Sequence, residues 1–202
     1  MRASNSPGGR TFADEARRRQ LVDCAIEVIA EEGFAQASLA RIAQRAGVAK
    51  SVVLYHFANK DELVEQVLTA VGTASIEGVP ERLAAEHTAR DKLRVALEIV
   101  IGFIPAHRTQ ALAALETWNM MRSLPARTRL TTTTVEGIEE LLADGQRNGE
   151  FGEFDPHVVA VLIRQAIDAA SLEFAINPDA DMAAFTAEVV ALFDRATRAD
   201  RP

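Results

Sequence analysis

Apolar residues return at helical spacing along almost the whole chain, and the breaks between runs fall on glycine, proline and asparagine. From Glu15 to Glu32, the residues Leu21, Val22, Ala25, Ile26, Val28 and Ile29 form one such stripe. Gly33 ends it, because glycine adopts the left-handed conformation without a Cβ clash. Ser38 is placed to N-cap a short helix over 39–46, with Leu39, Ile42, Ala43 and Ala46 on one face. Gly47 breaks that helix, Val48 can fill the corner, and a second short helix over 50–57 turns Val53 and Phe57 inward. Asn59 then caps a further helix, and Glu62 three residues on completes a capping-box pattern. Downstream, the spacing predicts helices near 60–77, 80–88, 91–105, 107–123, 125–146, 156–176 and 179–199. Pro80, Pro105, Pro125, Pro156 and Pro178 mark their boundaries. The clearest loop is 145–156, GQRNGEFGEFDP. Its Asn148-Gly149 is a hairpin signal, but the flanks lack the alternation of strands, so a helix-breaking loop is expected. The pattern is all-α.

Composition agrees with that reading. The 202 residues suffice for one large or two small domains, and 48% hydrophobic with 25% charged residues is ordinary for a globular chain. The single cysteine, Cys24, lies in an apolar helical pattern and reads as a small buried hydrophobe. It excludes an intramolecular disulfide framework and a cysteine-rich metal site. No stretch is long and apolar enough to span a bilayer, and the first residues lack the apolar core of a signal peptide. A cytoplasmic protein without membrane association is expected.

Charge changes the picture. The net charge is −7, yet residues 1–60 hold nine Lys/Arg against six Asp/Glu, a net of +3. Residues 61–202 hold 13 against 23, a net of −10. The organisation expected is a flexible arm over 1–14, a small basic module over 15–60 and a larger acidic helical body over 61–202. The acidic total argues against a polyanionic partner; the local balance reverses that for the first module.

A short helix, a glycine turn and a second short helix make a helix-turn-helix. The second helix can lie in a DNA major groove while its neighbours hold the phosphate backbone. A three-helix packing with no role in DNA binding has the same bare pattern. More residues agree, however. The run RRRQLVDCAIEVIAEEGFAQASLARIAQRAGVAKSVVLYHFANKDELV resembles the N-terminal domain of the tetracycline-repressor (TetR) family of transcriptional regulators. The shared features are EEGF after the first helix, SLARIAQRAGVAK, the aromatic LYHF and NKDEL, over about residues 15–64. The resemblance implies an all-helical homodimer that binds double-stranded DNA, whose variable C-terminal body takes a small-molecule effector. It implies a repressor released from a palindromic operator. By position, it places Ser38, Lys50, Ser51, Val52, Leu54, Tyr55, His56 and Lys60 at DNA. Lys50, Ser51 and Leu54 would face bases; Ser38, Val52, Tyr55, His56 and Lys60 would approach the backbone. Three positions depart from the family pattern. Leu54 stands where Tyr is common and can touch a thymine methyl instead. Val52 replaces a frequent Thr and cannot hydrogen-bond a phosphate. Ala49 replaces a capping Ser, a change that typically costs ~1 kcal/mol.

The acidic body is less specific. Trp118 and Met121, with Phe103 from the preceding helix, are candidates for an apolar effector pocket, although such residues more often form core. Arg164 and Asp168 lie four apart in an otherwise apolar helix, as a surface salt bridge or as a buried pair at the pocket or dimer seam. The scattered histidines suggest no metal site, and no cofactor motif is present. Catalytic motifs such as G-x-S-x-G, H-E-x-x-H and a Walker loop are absent, so no enzyme is expected. The alternative to a regulator is a helical interaction module that no longer binds DNA specifically.

Overall fold

The computed structural model describes residues 12–120 and 125–199. They form ten helices: α1 (Phe12–Glu32), α2 (Leu39–Arg45), α3 (Lys50–His56), α4 (Lys60–Ser75), α5 (Val79–Ala84), α6 (Ala89–Ala106), α7 (Arg108–Met120), α8 (Pro125–Arg147), α9 (Pro156–Ile176) and α10 (Met182–Thr197). The all-α expectation holds, and the proline punctuation is accurate. Pro80 and Pro156 occupy the first turns of α5 and α9, where the missing N–H costs nothing. Pro105 does not stop its helix at once; α6 continues through it to Ala106. Helix α1 begins at Phe12, so the last part of the segment read as an arm is helical; Met121 and residues 1–11 lie outside the described residues.

Two apolar clusters organise the chain. The first is the predicted α1 stripe, Leu21 through Ile29, closed by Ile42 and Ala43 of α2, Val53 of α3, and Phe57. It does not end at residue 60. Leu63, Val64, Val67 and Val71 of α4 complete it, and Ala113 of α7 is fully buried in the same cluster. Two turns of α4 therefore belong to the head, and α7 joins head to body. The second cluster packs α6, α8, α9 and α10 around Leu97, Ile101, Leu142, Ile163, Phe174 and Phe193.

The 145–156 segment is a loop, as its composition predicts, but a tightly held one. Gln146 Nε2 donates to the Gly152 carbonyl at 2.7 Å and to the Phe154 carbonyl at 3.0 Å. Phe151 pairs in an isolated antiparallel bridge with Arg198, and the Gly152 N–H donates to the Thr197 carbonyl at 3.0 Å. A Cβ on Gly145 would collide with the Phe151 ring, so only glycine lets that ring enter the body core.

Nearby, His157 Nδ1 lies 2.8 Å from Glu139 Oε2 across the α8–α9 contact. That hydrogen bond, with the carboxylate charge, raises the imidazole pKa above the ordinary 6.5. The folded value exceeds the unfolded one. The stabilisation is therefore complete below pH 6.5 and fades as pH rises through the raised value. Both side chains are solvated, so the effect on stability is small. An NMR titration should place His157 above 6.5, and Glu139→Gln should return it toward 6.5. An unmoved midpoint in that variant would mean that the pair does not form in solution.

Candidate nucleic-acid interface

Helix α3 is presented by a sharp corner. Ser38 Oγ accepts from the Arg41 N–H at 3.2 Å and starts α2. At its end, Gly47 turns with φ +66°, and the Val48 N–H donates to the Ala43 carbonyl at 3.0 Å. Val48 packs against the head core as the corner plug. Ala49 opens α3 without a side-chain cap. Because Val53 and Phe57 point inward, the opposite face of α3 is exposed. It carries Lys50, Ser51, Leu54 and Tyr55, with Tyr55 76% exposed. Val52 is half-buried on its flank.

Two of the residues expected at the backbone are turned to other tasks. His56 is only 8% exposed, and its ring meets Tyr55 edge-on at 5.0 Å. Its carbonyl accepts a hydrogen bond from Arg18. Lys60 is drawn back across the head: Nζ donates to the Phe34 carbonyl at 2.8 Å and stands 4.1 Å over the Phe34 ring. Burial lowers its pKa from the ordinary lysine value. Lys60 thus ties the start of α4 to the α1–α2 turn. The capping box also differs in detail. Asn59 Oδ1 accepts from the Glu62 N–H at 2.9 Å, but Glu62 reaches back to the Ala58 N–H rather than to that of Asn59.

Most cations of the head are likewise engaged. Arg41 forks onto Glu32, with three contacts of 2.7–2.9 Å. Arg45 bridges Glu27 and Glu31, and these partners raise its pKa. Arg18 stacks 4.1 Å from the Phe57 ring and reaches Glu62 at 3.0 Å. Sequence reasoning missed Arg18, whose place in RRR gives no sign of which arginine turns inward. Glu27, Glu31 and Glu32 of α1 are thereby matched by the arginines of α2. Among the described residues Lys50 holds no ion pair, and it sits at the N-terminal end of the exposed helix. A surface of this kind offers one mobile cation, hydroxyls from Ser51 and Tyr55, and an apolar contact from Leu54, which are the groups that meet base edges and phosphates.

The residues expected around an effector divide into two places. Trp118, Arg164 and Asp168 come together: the guanidinium stands 5.0 Å over the indole and donates to Asp168 at 2.6 Å. Arg164 is mostly buried, so this is not a solvated surface pair. Phe103 stands elsewhere, stacked on His107 at 4.1 Å and packed against the head core. A cavity of about 720 Å³ opens between α6 and α10, and none of these residues lines it. Cys24 is half-buried, and burial pushes its thiol pKa up, as fits a packing role. No helix among the described residues is long and apolar enough to cross a membrane.

Residues 21–67 match the family model of bacterial regulatory proteins of the tetR family. The HTH-type transcriptional activator FasR of Mycolicibacterium smegmatis is 39% identical over 100 residues, 50% of this chain and 45% of that one. The chain thus spans less than half the length of that relative. The fatty acid metabolism regulator protein of Bacillus subtilis is 25% identical over 163 residues, 78% of this chain and 83% of its own. A crystal structure of the transcriptional regulator FadR from Bacillus subtilis, in complex with stearoyl-CoA, superposes with a TM-score of 0.78 at 23% identity, covering 86% of this chain and 96% of that one.

Proposed function

We propose that the chain is a member of the bacterial tetR family, whose model residues 21–67 match, and that it is a dimeric, effector-responsive transcriptional regulator that binds a palindromic operator. One observation carries the DNA-binding part: α3 exposes Lys50, Ser51, Leu54 and Tyr55 on a head whose neighbouring arginines are neutralised by its own carboxylates. Lys50 and Ser51 read base edges, Leu54 meets a thymine methyl, and Tyr55 and Ser38 approach phosphates. Dimerisation rests on the uncovered stripe of α9, where Val158, Leu162, Leu172 and Ile176 are exposed on one helix face; Leu192 of α10 is exposed as well. Two such stripes buried against each other form a four-helix bundle. The effector is a small molecule, and the relative crystallised with stearoyl-CoA makes an acyl-CoA the first one to try.

Selection of operators from random DNA, with and without stearoyl-CoA, tests this reading; failure to enrich any palindrome would reject it. Two variants separate reading from scaffolding. Lys50→Ala should relax preference at particular base pairs, by about 1–3 kcal/mol for a good contact. Lys60→Ala should lower the melting temperature of the head, because it removes the tie to Phe34, and leave base preference unchanged. Binding and melting curves for the two proteins decide the matter. A Lys60 variant with altered preference and full stability would reverse the assignment.

A further inference from the structure

The positive charge of the reading head does not lie in its helix-turn-helix. Residues 21–75, which run from the buried part of α1 through α4, hold four Lys/Arg against seven Asp/Glu, a net of −3. Residues 1–20 hold five arginines against Asp14 and Glu15, a net of +3. Of the four cations in 21–75, Arg41 and Arg45 are held by carboxylates of α1 and Lys60 is turned inward, which leaves Lys50. One unengaged cation on a net-negative surface is a poor match for a duplex that carries one negative charge per about 1.7 Å of its axis.

The first turns of α1 hold what the rest of the head lacks. None of residues 12–20 is buried, and the stripe that enters the core starts only at Leu21. Arg18 fixes this projecting end. Its guanidinium donates to the carbonyl of His56, the last residue of α3, and to Glu62 of α4 at 3.0 Å. The projecting turns therefore stand beside the C-terminal end of the exposed helix, next to Tyr55. The arginines on either side of Arg18 are not neutralised. Arg17 donates to the uncharged Gln20 at 2.6 Å, and Arg19 is exposed without a salt bridge among the described residues. Phe12 lies six residues before Arg18, about 9 Å along the helix. Upstream of it come eleven residues with no acid, in which Arg2 and Arg10 are separated by ASNSPGG, small side chains throughout. Eleven residues span at most roughly 36–40 Å. Half a turn of the duplex, from a major groove to the neighbouring minor groove, is only about 17 Å. A minor groove about 6 Å wide admits small side chains, and where it is A·T-rich its potential attracts arginine.

We propose that residues 1–20 are a second DNA-binding element, in which Arg17 and Arg19 hold phosphates and residues 1–11, through Arg2 and Arg10, enter the A·T-rich minor groove flanking each half-site. This element rests on the operator-binding reading above and supplies the charge that the helix-turn-helix lacks. Two variants test it: deletion of residues 2–11, and Arg17→Gln combined with Arg19→Gln. Fluorescence anisotropy on a selected operator with A·T-rich flanks, across a salt series, gives the reading. Each variant loses two cations per chain, so the salt slope should fall by about 1.8 per bound head. Affinity at physiological salt should fall on the order of tenfold or more. The deletion should also abolish the preference for A·T over G·C flanks and the sensitivity to netropsin, a ligand of A·T-rich minor grooves. Preference at the base pairs read by Lys50 should remain. Both variants should keep the wild-type melting curve, since α1 enters the core only at Leu21. The element is overturned if either variant keeps wild-type affinity and slope. It is also overturned if netropsin and G·C flanks leave wild-type binding unchanged, since the arm would then not lie in the minor groove. A wild-type chain that binds no palindrome would overturn the regulator reading with it, whereas wild-type binding that the deletion leaves untouched overturns this element alone.

Discussion

Replacing Phe57 with Ala should cost about 3–5 kcal/mol, the range for removing a fully buried aromatic ring. Phe57 has no exposed surface and follows directly on α3. Its backbone N–H closes α3 on the Val53 carbonyl at 2.9 Å, and its ring supports the guanidinium of Arg18. The truncation therefore opens a cavity and also frees Arg18 from the surface that orients it toward Glu62 and the His56 carbonyl. A loss of that size is a large part of the roughly 5–15 kcal/mol that holds a typical domain together. The expected outcome is a head that melts early and does not bind DNA. Phe57→Leu should recover much of the stability, because it refills most of the volume. Urea denaturation followed by circular dichroism measures both. A Phe57→Ala midpoint within about 0.5 kcal/mol of wild type, the scatter of ordinary surface substitutions, would contradict the packing described.

Leu162→Arg on the exposed stripe of α9 should leave the monomer folded and remove the dimer. The side chain is uncovered in the single chain, so a charge there costs that chain little. In a bundle built from two stripes the same charge would be buried and unpaired, a cost of several kcal/mol. DNA affinity should then fall on the order of 10²-fold or more, since the second head no longer binds as a tethered partner. Light scattering and fluorescence anisotropy on a selected operator supply the two readings. A variant that stays dimeric with undiminished affinity would place the interface elsewhere. Leu172→Arg, farther along the same stripe, should behave alike.

The head was legible because its information is local. Periodicity, the Ser38 and Asn59 caps and the Gly47 turn fix each helix within a few residues, and the six apolar positions read in α1 are all buried. The fates of His56 and Lys60 were not legible. Each lies next to residues that face outward, and only the packing of α1 and α4 against α3 decides that one ring is buried and one ammonium turned inward. Arg41 and Arg45 count as positive charge in the sequence, yet the fold pairs them with carboxylates contributed by another helix. In the body, Trp118 and Arg164 are brought together across two helices, while Phe103 is drawn to the head. Helical spacing says which face of a helix is apolar and is silent on which neighbour that face meets. The α6–α10 cavity had no signal in the sequence for the same reason: it depends on the distance between helices far apart in the chain.

The burial of Ala113 in the head core, with Ala111 two residues earlier in the body core, has a bearing on engineering. Hybrid regulators are assembled by joining the reading head of one protein to the sensing body of another. In this chain a cut after α3 would strip the head of Leu63, Val64, Val67 and Val71 and leave α7 pressing an alanine against a foreign surface. A workable graft would carry α4 with the head and would match the donor's α1 to the recipient's α7, so the compatible unit is a surface shared by both halves rather than a stretch of sequence.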